Sequence, residues 1–529
     1  MAEPDVLVVG AGPVGLAAAV ELARRGVRCR VLEQLPERPR FAKAVGVQPR
    51  TLEVFEGMGV LREILDAAVR MRGQLVYADG AEVARLDLAP PPDIPYGFAA
   101  LPQYETERVL GERLVRCGVR VEYRTALVSF AQDDTGVTAV LRGPDGAETV
   151  RAGYLIGADG AHSVVRKGLG LTFEGAAFAE QYMLGDVELD WSAPSGYGVR
   201  SSRGADVLVC IPLPGHRRYR VSMLAPEELA VPATDAVAHG MEGDRAPELH
   251  HIQAVLDRLA PEPATARNLR WSSVFRISHR IVDSYGTGRV LVAGDAAHIH
   301  PPTGAQGMNT GIQDAHNLGW KLALAVAGVA GVELLASYDA ERRPVGEEVV
   351  GRTVRHAREG IGAGTGDPER MLRREAQLLL DYRDSPIVLS SALGEVAAGR
   401  RAPDAAGLTR ELVQFPIRLF SLLAGAGHTL LLYAGGEPGP TWFAALERVA
   451  DDARRAAHGQ LDVYLVAGPE TPVETVLPVI RDSAGDFARS YAAEDAAYLV
   501  RPDGYLAYVG APEEVARALA ATFAAPAEL

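Results

Sequence analysis

Residues 5–33, DVLVVGAGPVGLAAAVELARRGVRCRVLE, constrain this chain more than any other stretch. The unbroken aliphatic run at its start reads as a parallel strand buried on both faces. Gly10, Gly12 and Gly15 then form G-x-G-x-x-G, with Pro13 and Val14 leading into a helix. The first glycine permits a tight turn, the second lets a pyrophosphate approach the backbone, and the third lets helix and strand pack closely. Leu16, Val20 and Ala23 lie on one face of that helix, Glu21, Arg24 and Arg25 on the other, and Gly26 stops it. A second strand ends at Glu33, with Gln34 beside it.

Glu33 stands 18 positions after Gly15, where a carboxylate accepts hydrogen bonds from ribose hydroxyls and repels a ribose phosphate. The pattern therefore favours FAD or NAD over NADP at this site. A glycine motif alone is weak; strand, motif, helix, strand and acid in that order are not.

The 529 residues are enough for two or three domains. A net charge of −14, from 54 basic and 68 acidic residues, argues against nucleic acid or an anionic membrane as partner. Cys29, Cys117 and Cys210 show neither CxxC nor metal-ligand spacing, which suits a reducing compartment. No secretory signal pattern opens the chain, and the apolar run at 322–332 is too short to span a bilayer. The expected location is the cytoplasm.

Further along, Lys43 and Arg50 flank a turn and suit either phosphate contact or ordinary solvation, with a helix expected from Thr51. Residues 73–100 alternate around a turn at 78–80 and read as a hairpin. A helix over 104–116 precedes two strands, and residues 171–285 look β-rich. A long helical region is expected over 311–356, and RRAPDAAG at 400–407 reads as a linker. The tail has a βαβ, hairpin, helix order that is thioredoxin-like without the redox cysteines.

Two more glycine-acid stations join the first. In GADGAHSVVR, Asp159 and Gly160 follow a strand; in GDAAHIHPPTGAQGMNTGIQDA, Gly294 and Asp295 end one, followed by Pro301, Gly304, Gly307, Met308 and Asn309. An acid at a strand's carboxyl end can bind a ribityl or ribose hydroxyl, and glycines opening a helix offer N–H groups to phosphate or to a flavin edge.

With these three stations in order, the chain resembles the class A flavoprotein aromatic hydroxylases, the FAD monooxygenases of p-hydroxybenzoate hydroxylase fold. The tail places the resemblance in the larger phenol- and polyketide-hydroxylase branch, over nearly the whole chain. The resemblance implies an α/β fold: an FAD-binding dinucleotide domain (1–72, 101–179 and 286–399), an inserted β-sheet substrate domain (73–100 and 180–285), and a thioredoxin-like C-terminal domain (408–529). It implies that Gly10, Gly12, Pro13, Val14 and Gly15 meet the FAD pyrophosphate, and that Glu33 and Gln34 meet the adenosine end. Lys43 falls where the family has a basic residue near the phosphates. Gln103 and Arg108 would touch the flavin chain, and Leu127 the adenine side. Asp159 and Gly160 would serve FAD and a nicotinamide nucleotide. Gly294 and Asp295 would hold ribityl and pyrophosphate groups, and Pro301, Gly304, Gly307, Met308 and Asn309 would lie beside the isoalloxazine. Ala305 replaces a frequent glycine, a small change by this reading. Arg50 and Arg166 are either nicotinamide contacts or surface arginines.

The implied reaction consumes NADPH or NADH, a transient reductant, and dioxygen, and hydroxylates an aromatic, polycyclic polyketide through a flavin hydroperoxide. Baeyer–Villiger oxygenation of a polyketide ketone and hydroxylation of a simple phenol stay open, as do a flavin reductase and a noncatalytic nucleotide-binding module. No catalytic side chain is assigned. His279, Tyr219 and Tyr285 are candidate bases by type only. His298 and His300 lack the acidic or thiolate partners of a metal site apart from Asp295, so no metal is expected. The tail reads as structural, a contact or dimerisation domain compatible with a homodimer.

Overall fold

The computed structural model describes residues 3–40, 44–204, 206–229, 240–242, 246–359, 367–389, 396–413, 415–436, 439–491 and 496–526. Its first sheet has the order Gly286–Thr287, Val290–Val292, Tyr154–Gly157, Val6–Val9, Cys29–Glu33, Val121–Tyr123. All neighbours are parallel except the edge strand Gly286–Thr287. Val6–Val9 lies in the middle with every residue buried, which is why it is aliphatic on both faces. Helix Pro13–Ala23 packs against helices Gln103–Arg116 and Gly307–Val326 on one side of this sheet.

The second sheet runs Gly240–Glu242, Thr265–Val282, Phe173–Asp190, Arg218–Leu224, Asp206–Pro212, Tyr197–Arg203, Gly73–Ala78, Ala81–Asp87. The hairpin expected near residue 78 is therefore present, and its first strand adds parallel to Tyr197–Arg203. Side chains alternate between two faces, as period-two geometry requires. Met183, Val187, Cys210, Tyr219 and Val221 face helix Leu249–Leu259. On the opposite face, Ile211 and Leu213 pack with Val45 and Ala100, which belong to the chain around the first sheet. That inner face also carries Tyr182, Leu184, Trp271 and Phe275, clustered with Phe178 and Ile277.

Strand Phe173–Asp190 crosses the boundary expected at residue 180. Its first half, FEGAAFAEQ, lacks the alternation that marks a strand, and its pairing is irregular between Ala177 and Gln181.

The C-terminal sheet has the order Leu408–Thr409, Val479–Asp482, Leu461–Ala467, His428–Ala434, Ala497–Val500, Leu506–Gly510. Its central strand His428–Ala434 is buried throughout. The stretch expected as a linker at 400–407 is packed instead. Ala402 and Ala405 are buried, Arg401 grips Glu53 with Nε–O distances of 3.0 and 2.8 Å, and Asp404 pairs with Arg418. Its charges face partners rather than water, so its composition alone misleads. The long helical region is two helices, Gly307–Val326 and Ala336–Glu359, with Gly328 at φ +73° in the break. Among the described residues no helix is long and apolar enough to cross a membrane.

Candidate functional site

The three glycine-acid stations leave the carboxyl ends of adjacent strands, where open α/β sheets bind ligands. Backbone bonds stitch them together: Gly10 N–H to Leu32 O at 2.8 Å, Ala158 N–H to Val9 O at 2.8 Å, and Ala293 N–H to Gly157 O at 3.0 Å. Gly10 has φ +99°, and a Cβ there would lie 2.3 Å from Ala158 O. A Cβ at Gly15 would lie 1.9 Å from Gly10 O, so that contact tolerates no side chain. Gly12, by contrast, has open space where its side chain would be. It precedes Pro13 at the start of a helix that no side chain caps, leaving free N–H groups and room for a pyrophosphate. The cradle fits FAD.

Glu33 accepts from Ala11 N–H at 3.0 Å and from Leu35 N–H at 2.9 Å. A carboxylate has about four acceptor positions, so it holds the glycine turn and still has capacity for ribose hydroxyls. Gln34 is exposed beside it, and Lys43 lies outside the described residues. Gln103 opens helix Gln103–Arg116 and accepts from Ala44 N–H at 3.4 Å. Arg108, one turn on, is engaged by Glu105 at 2.8 Å and Glu112 at 2.9 Å. Leu127 is buried opposite Leu141, at a bulge in its sheet.

Asp159 organises its own loop. It accepts from Ser163 Oγ–H at 2.5 Å, Val164 N–H at 2.7 Å and Val165 N–H at 3.1 Å, at the start of the short helix Val164–Gly168. Burial pushes its carboxyl above the ordinary range against these hydrogen bonds. Gly160, beside it, has φ +76°.

The third station rests on a residue that sequence reasoning missed. Asp314 is fully buried and accepts from Gly294 N–H at 3.1 Å, His298 Nε2 at 2.8 Å and Arg342 Nε–H at 2.8 Å. It thereby fixes the backbone that presents Asp295, which is half-buried in the turn Gly294–Ala296. The sequence carries no signal for it: Asp314 is one acid in a helical pattern, and only the structure shows that the helix is buried from Met308 to Leu324.

Beyond His298–Ile299, Pro301 is buried and its carbonyl lies 2.9 Å from His300 Nδ1. Asn309 donates to Gly46 O at 2.9 Å and Ala305 O at 2.7 Å, and accepts from Gln48 N–H at 3.0 Å. Gln48 Nε2–H reaches Gly304 O at 2.8 Å. The turn before Gly307 and Met308 is thus riveted to strand Gly46–Val47. Ala305 sits there at φ +54°, a conformation that costs a non-glycine residue about 1 kcal/mol. The change from glycine is not neutral, and the Asn309 and Gln48 bonds hold the strain.

Several expectations change. Arg50 is no surface residue: it is 4% exposed, bonds Glu53 at 2.7 Å and Asp503 O at 2.6 Å, and lies over the Tyr505 ring. Arg166 is equally buried, donating to Ala296 O at 3.2 Å and Ala161 O at 2.8 Å over the Phe173 ring. Tyr219 packs on the sheet's outer face against Trp191, and Tyr285 is enclosed in the first core, its hydroxyl driven well above the ordinary range by burial. Neither is placed as a base. His279 is half-buried, edge-on to Phe178. His298 is committed to Asp314, and no metal-holding cluster exists among the described residues.

Strand Thr265–Val282 links the inner face to the third station, because Arg280 and Ile281 pair with Ile299 and His298. Ile277 stands three residues before Arg280 on this strand, roughly 10 Å along it. An aromatic, apolar wall therefore rises beside the loop that carries Pro301.

Replacing Asp295 tests the ribityl assignment. Asp295→Ala is expected to release FAD from a chain that keeps its melting temperature in the cofactor-free state. Retention of normally reducible FAD would remove Asp295 from the site.

Comparison with known proteins agrees with this geometry. A family model for an FAD binding domain matches residues 3–353, and one for the C-terminal region of aromatic-ring hydroxylases matches residues 395–526. The chain is 33% identical to 6-methylpretetramide 4-monooxygenase of Streptomyces rimosus, covering 96% of this chain and 91% of that one. It is also 33% identical to pentachlorophenol 4-monooxygenase of Sphingobium chlorophenolicum, covering 96% and 93%. Among solved structures it matches aklavinone-11 hydroxylase in a ternary complex with FAD and aklavinone, at 27% identity, TM-score 0.76, and 98% and 99% coverage. An open pyrophosphate cradle, an acid at the second strand's tip and a substrate sheet facing the third loop thus occur together with these matches over nearly the full length, and the chain belongs to the FAD-dependent aromatic-ring hydroxylases, a family of monooxygenases.

Proposed function

We propose that this monooxygenase hydroxylates a polycyclic aromatic polyketide, using NADPH or NADH as its reductant. One observation carries the reading: the inner sheet face bears Phe178, Tyr182, Leu184, Trp271, Phe275 and Ile277 as one apolar and aromatic cluster, bordered by the buried Arg220–Asp186 pair under the Trp271 ring. Such a surface suits stacking on a flat fused-ring substrate larger than a single phenol. The similarity to 6-methylpretetramide 4-monooxygenase and to aklavinone-11 hydroxylase supports it.

Bound FAD supplies the activated oxygen. The chain's own tasks are to orient the aromatic ring and to exclude water. The Gly12 cradle and Glu33 anchor the dinucleotide, and Asp295 holds the ribityl chain. The turn fixed by Asn309 and Gln48 would hold the flavin end of the cofactor, and the wall around Phe275 would keep the reacting space dry. A cytoplasmic location and assembly as a homodimer complete the reading.

The experiment is substrate-stimulated NADPH consumption across fused-ring polyketides, polyketide ketones and simple phenols, with product masses. Stimulation by a fused-ring aromatic with one oxygen added to a ring carbon supports the reading. Stimulation confined to simple phenols, which the similarity to pentachlorophenol 4-monooxygenase keeps in view, overturns the polyketide assignment. A lactone product moves the chemistry to ketone oxygenation.

A further inference from the structure

Helix Gln103–Arg116 enters the adenosine end of the crevice with two polar side chains one turn apart. Gln103 takes the Ala44 N–H and donates its own Nε2–H to Glu107 Oε1 at 2.9 Å. Glu107 is 3% exposed, and its other oxygen, Oε2, is buried with no hydrogen-bond partner among the described residues. A bare buried carboxylate oxygen is costly, and it points to a partner that binds there.

The surroundings identify that partner. The charged groups facing Glu107 are Glu33, at the tip of strand Cys29–Glu33, and Arg38. Tyr123 on the adjacent strand has Arg38, Glu33 and Glu107 as its charged neighbours, so the four groups lie near one another. Lys43 lies outside the described residues. Glu33 also holds Ala11 N–H of the glycine turn. This cluster therefore adjoins the glycine turn, where the ribose and diphosphate of the dinucleotide would be bound, and it contains two acids. A second ionised carboxylate beside a diphosphate would repel it. A neutral one would donate a hydrogen bond.

We propose that Glu107 is a ligand of the adenosine diphosphate half of FAD, and that it binds as the neutral acid, donating Oε2–H to a ribose or phosphate oxygen. The proposal rests on the FAD site already described. Burial, outweighing the Gln103 hydrogen bond and the Arg38 charge, pushes the carboxyl up to about 7. Below that pH the free protein already carries the proton, and affinity for FAD is flat. Above it a proton is taken up with each FAD, and affinity falls about tenfold per pH unit until the higher pKa of the bound state is reached.

The test measures FAD affinity of the full chain by flavin fluorescence, from about pH 6 to about pH 9, for the unaltered protein and for Glu107→Gln. The unaltered protein is expected to lose about 10- to 100-fold in affinity over that range. The glutamine, a permanently neutral donor, is expected to bind with nearly constant affinity. Calorimetry of FAD binding to the unaltered chain, in buffers of different ionisation enthalpy, is expected to show proton uptake approaching one per FAD at the alkaline end, and needs no variant to fold. Parallel pH profiles, or binding without proton uptake, overturn the role of Glu107 and leave the flavin site standing. Failure of FAD to bind at any pH overturns the flavin site itself.

Discussion

Arg501→Met is expected to destabilise the chain by about 3–5 kcal/mol, because it leaves buried carboxylates without their counter-charge. Arg501 is fully buried and bonds Glu341 at 2.7 and 2.8 Å and Asp503 at 3.0 and 2.5 Å. Lys321 Nζ donates to Glu341 at 2.7 Å, Asn317 to Glu341 at 2.7 Å and Asp503 at 3.0 Å, and Trp320 to Asp503 at 3.2 Å. This network joins helices Gly307–Val326 and Ala336–Glu359 to the turn after strand Ala497–Val500. Burial would raise the Glu341 carboxyl, but the charges of Arg501 and Lys321 hold it well below its ordinary 4.5. With a depressed folded value, its contribution is fully present above pH 4.5 and is lost as the pH falls. Arg501→Met should therefore lower the melting temperature at neutral pH and flatten the loss of stability in acid. Hydrogen exchange should rise first in strand Ala497–Val500, which leads directly into Arg501. An unchanged melting curve would show that the network does not hold the two regions together.

Asp314→Asn is expected to cost a similar amount, about 3–5 kcal/mol, and to weaken FAD binding as well. Arg342, also fully buried, keeps its bonds to Tyr382 Oη at 2.7 Å and Thr310 O at 3.2 Å, but loses its only carboxylate partner among the described residues. Gly294 N–H and His298 lose the anion that fixes them, so the backbone before Asp295 loosens. Two thermal transitions separate these effects. FAD fluorescence should appear at a lower temperature than global unfolding, and both should precede the transitions of the unaltered protein. Release of FAD and unfolding at unchanged temperatures would contradict the role given to Asp314.

The parts legible in the sequence were those specified locally. The glycine turn is set by three residues in one short segment, and the hairpin by period-two alternation around a turn, so both could be read without long-range knowledge. The adjacency of the three stations followed from a resemblance to a known family. Asp314 and Glu107 stayed hidden for a different reason. Each is an acid in an otherwise ordinary helical pattern, and its meaning comes from what the fold brings to it: Gly294 and Arg342 for one, Gln103 and Glu33 for the other. Arg50 and Arg401 misled because a charged residue in a polar stretch reads as solvated, whereas both converge on Glu53 inside the contact with the C-terminal region. Residues 173–180 carried no alternation, and only the partner strand Thr265–Val282 extends the sheet through them.

FAD held between these loops would supply activated oxygen to an aromatic ring lying on the inner sheet face. The direct measurement is turnover of the FAD-loaded protein with NADPH and a fused-ring aromatic under heavy-isotope dioxygen. The account predicts one labelled oxygen on a ring carbon of the product and the other in water. Substrate-stimulated NADPH oxidation that yields only hydrogen peroxide, or a product whose new oxygen carries no label, would contradict it.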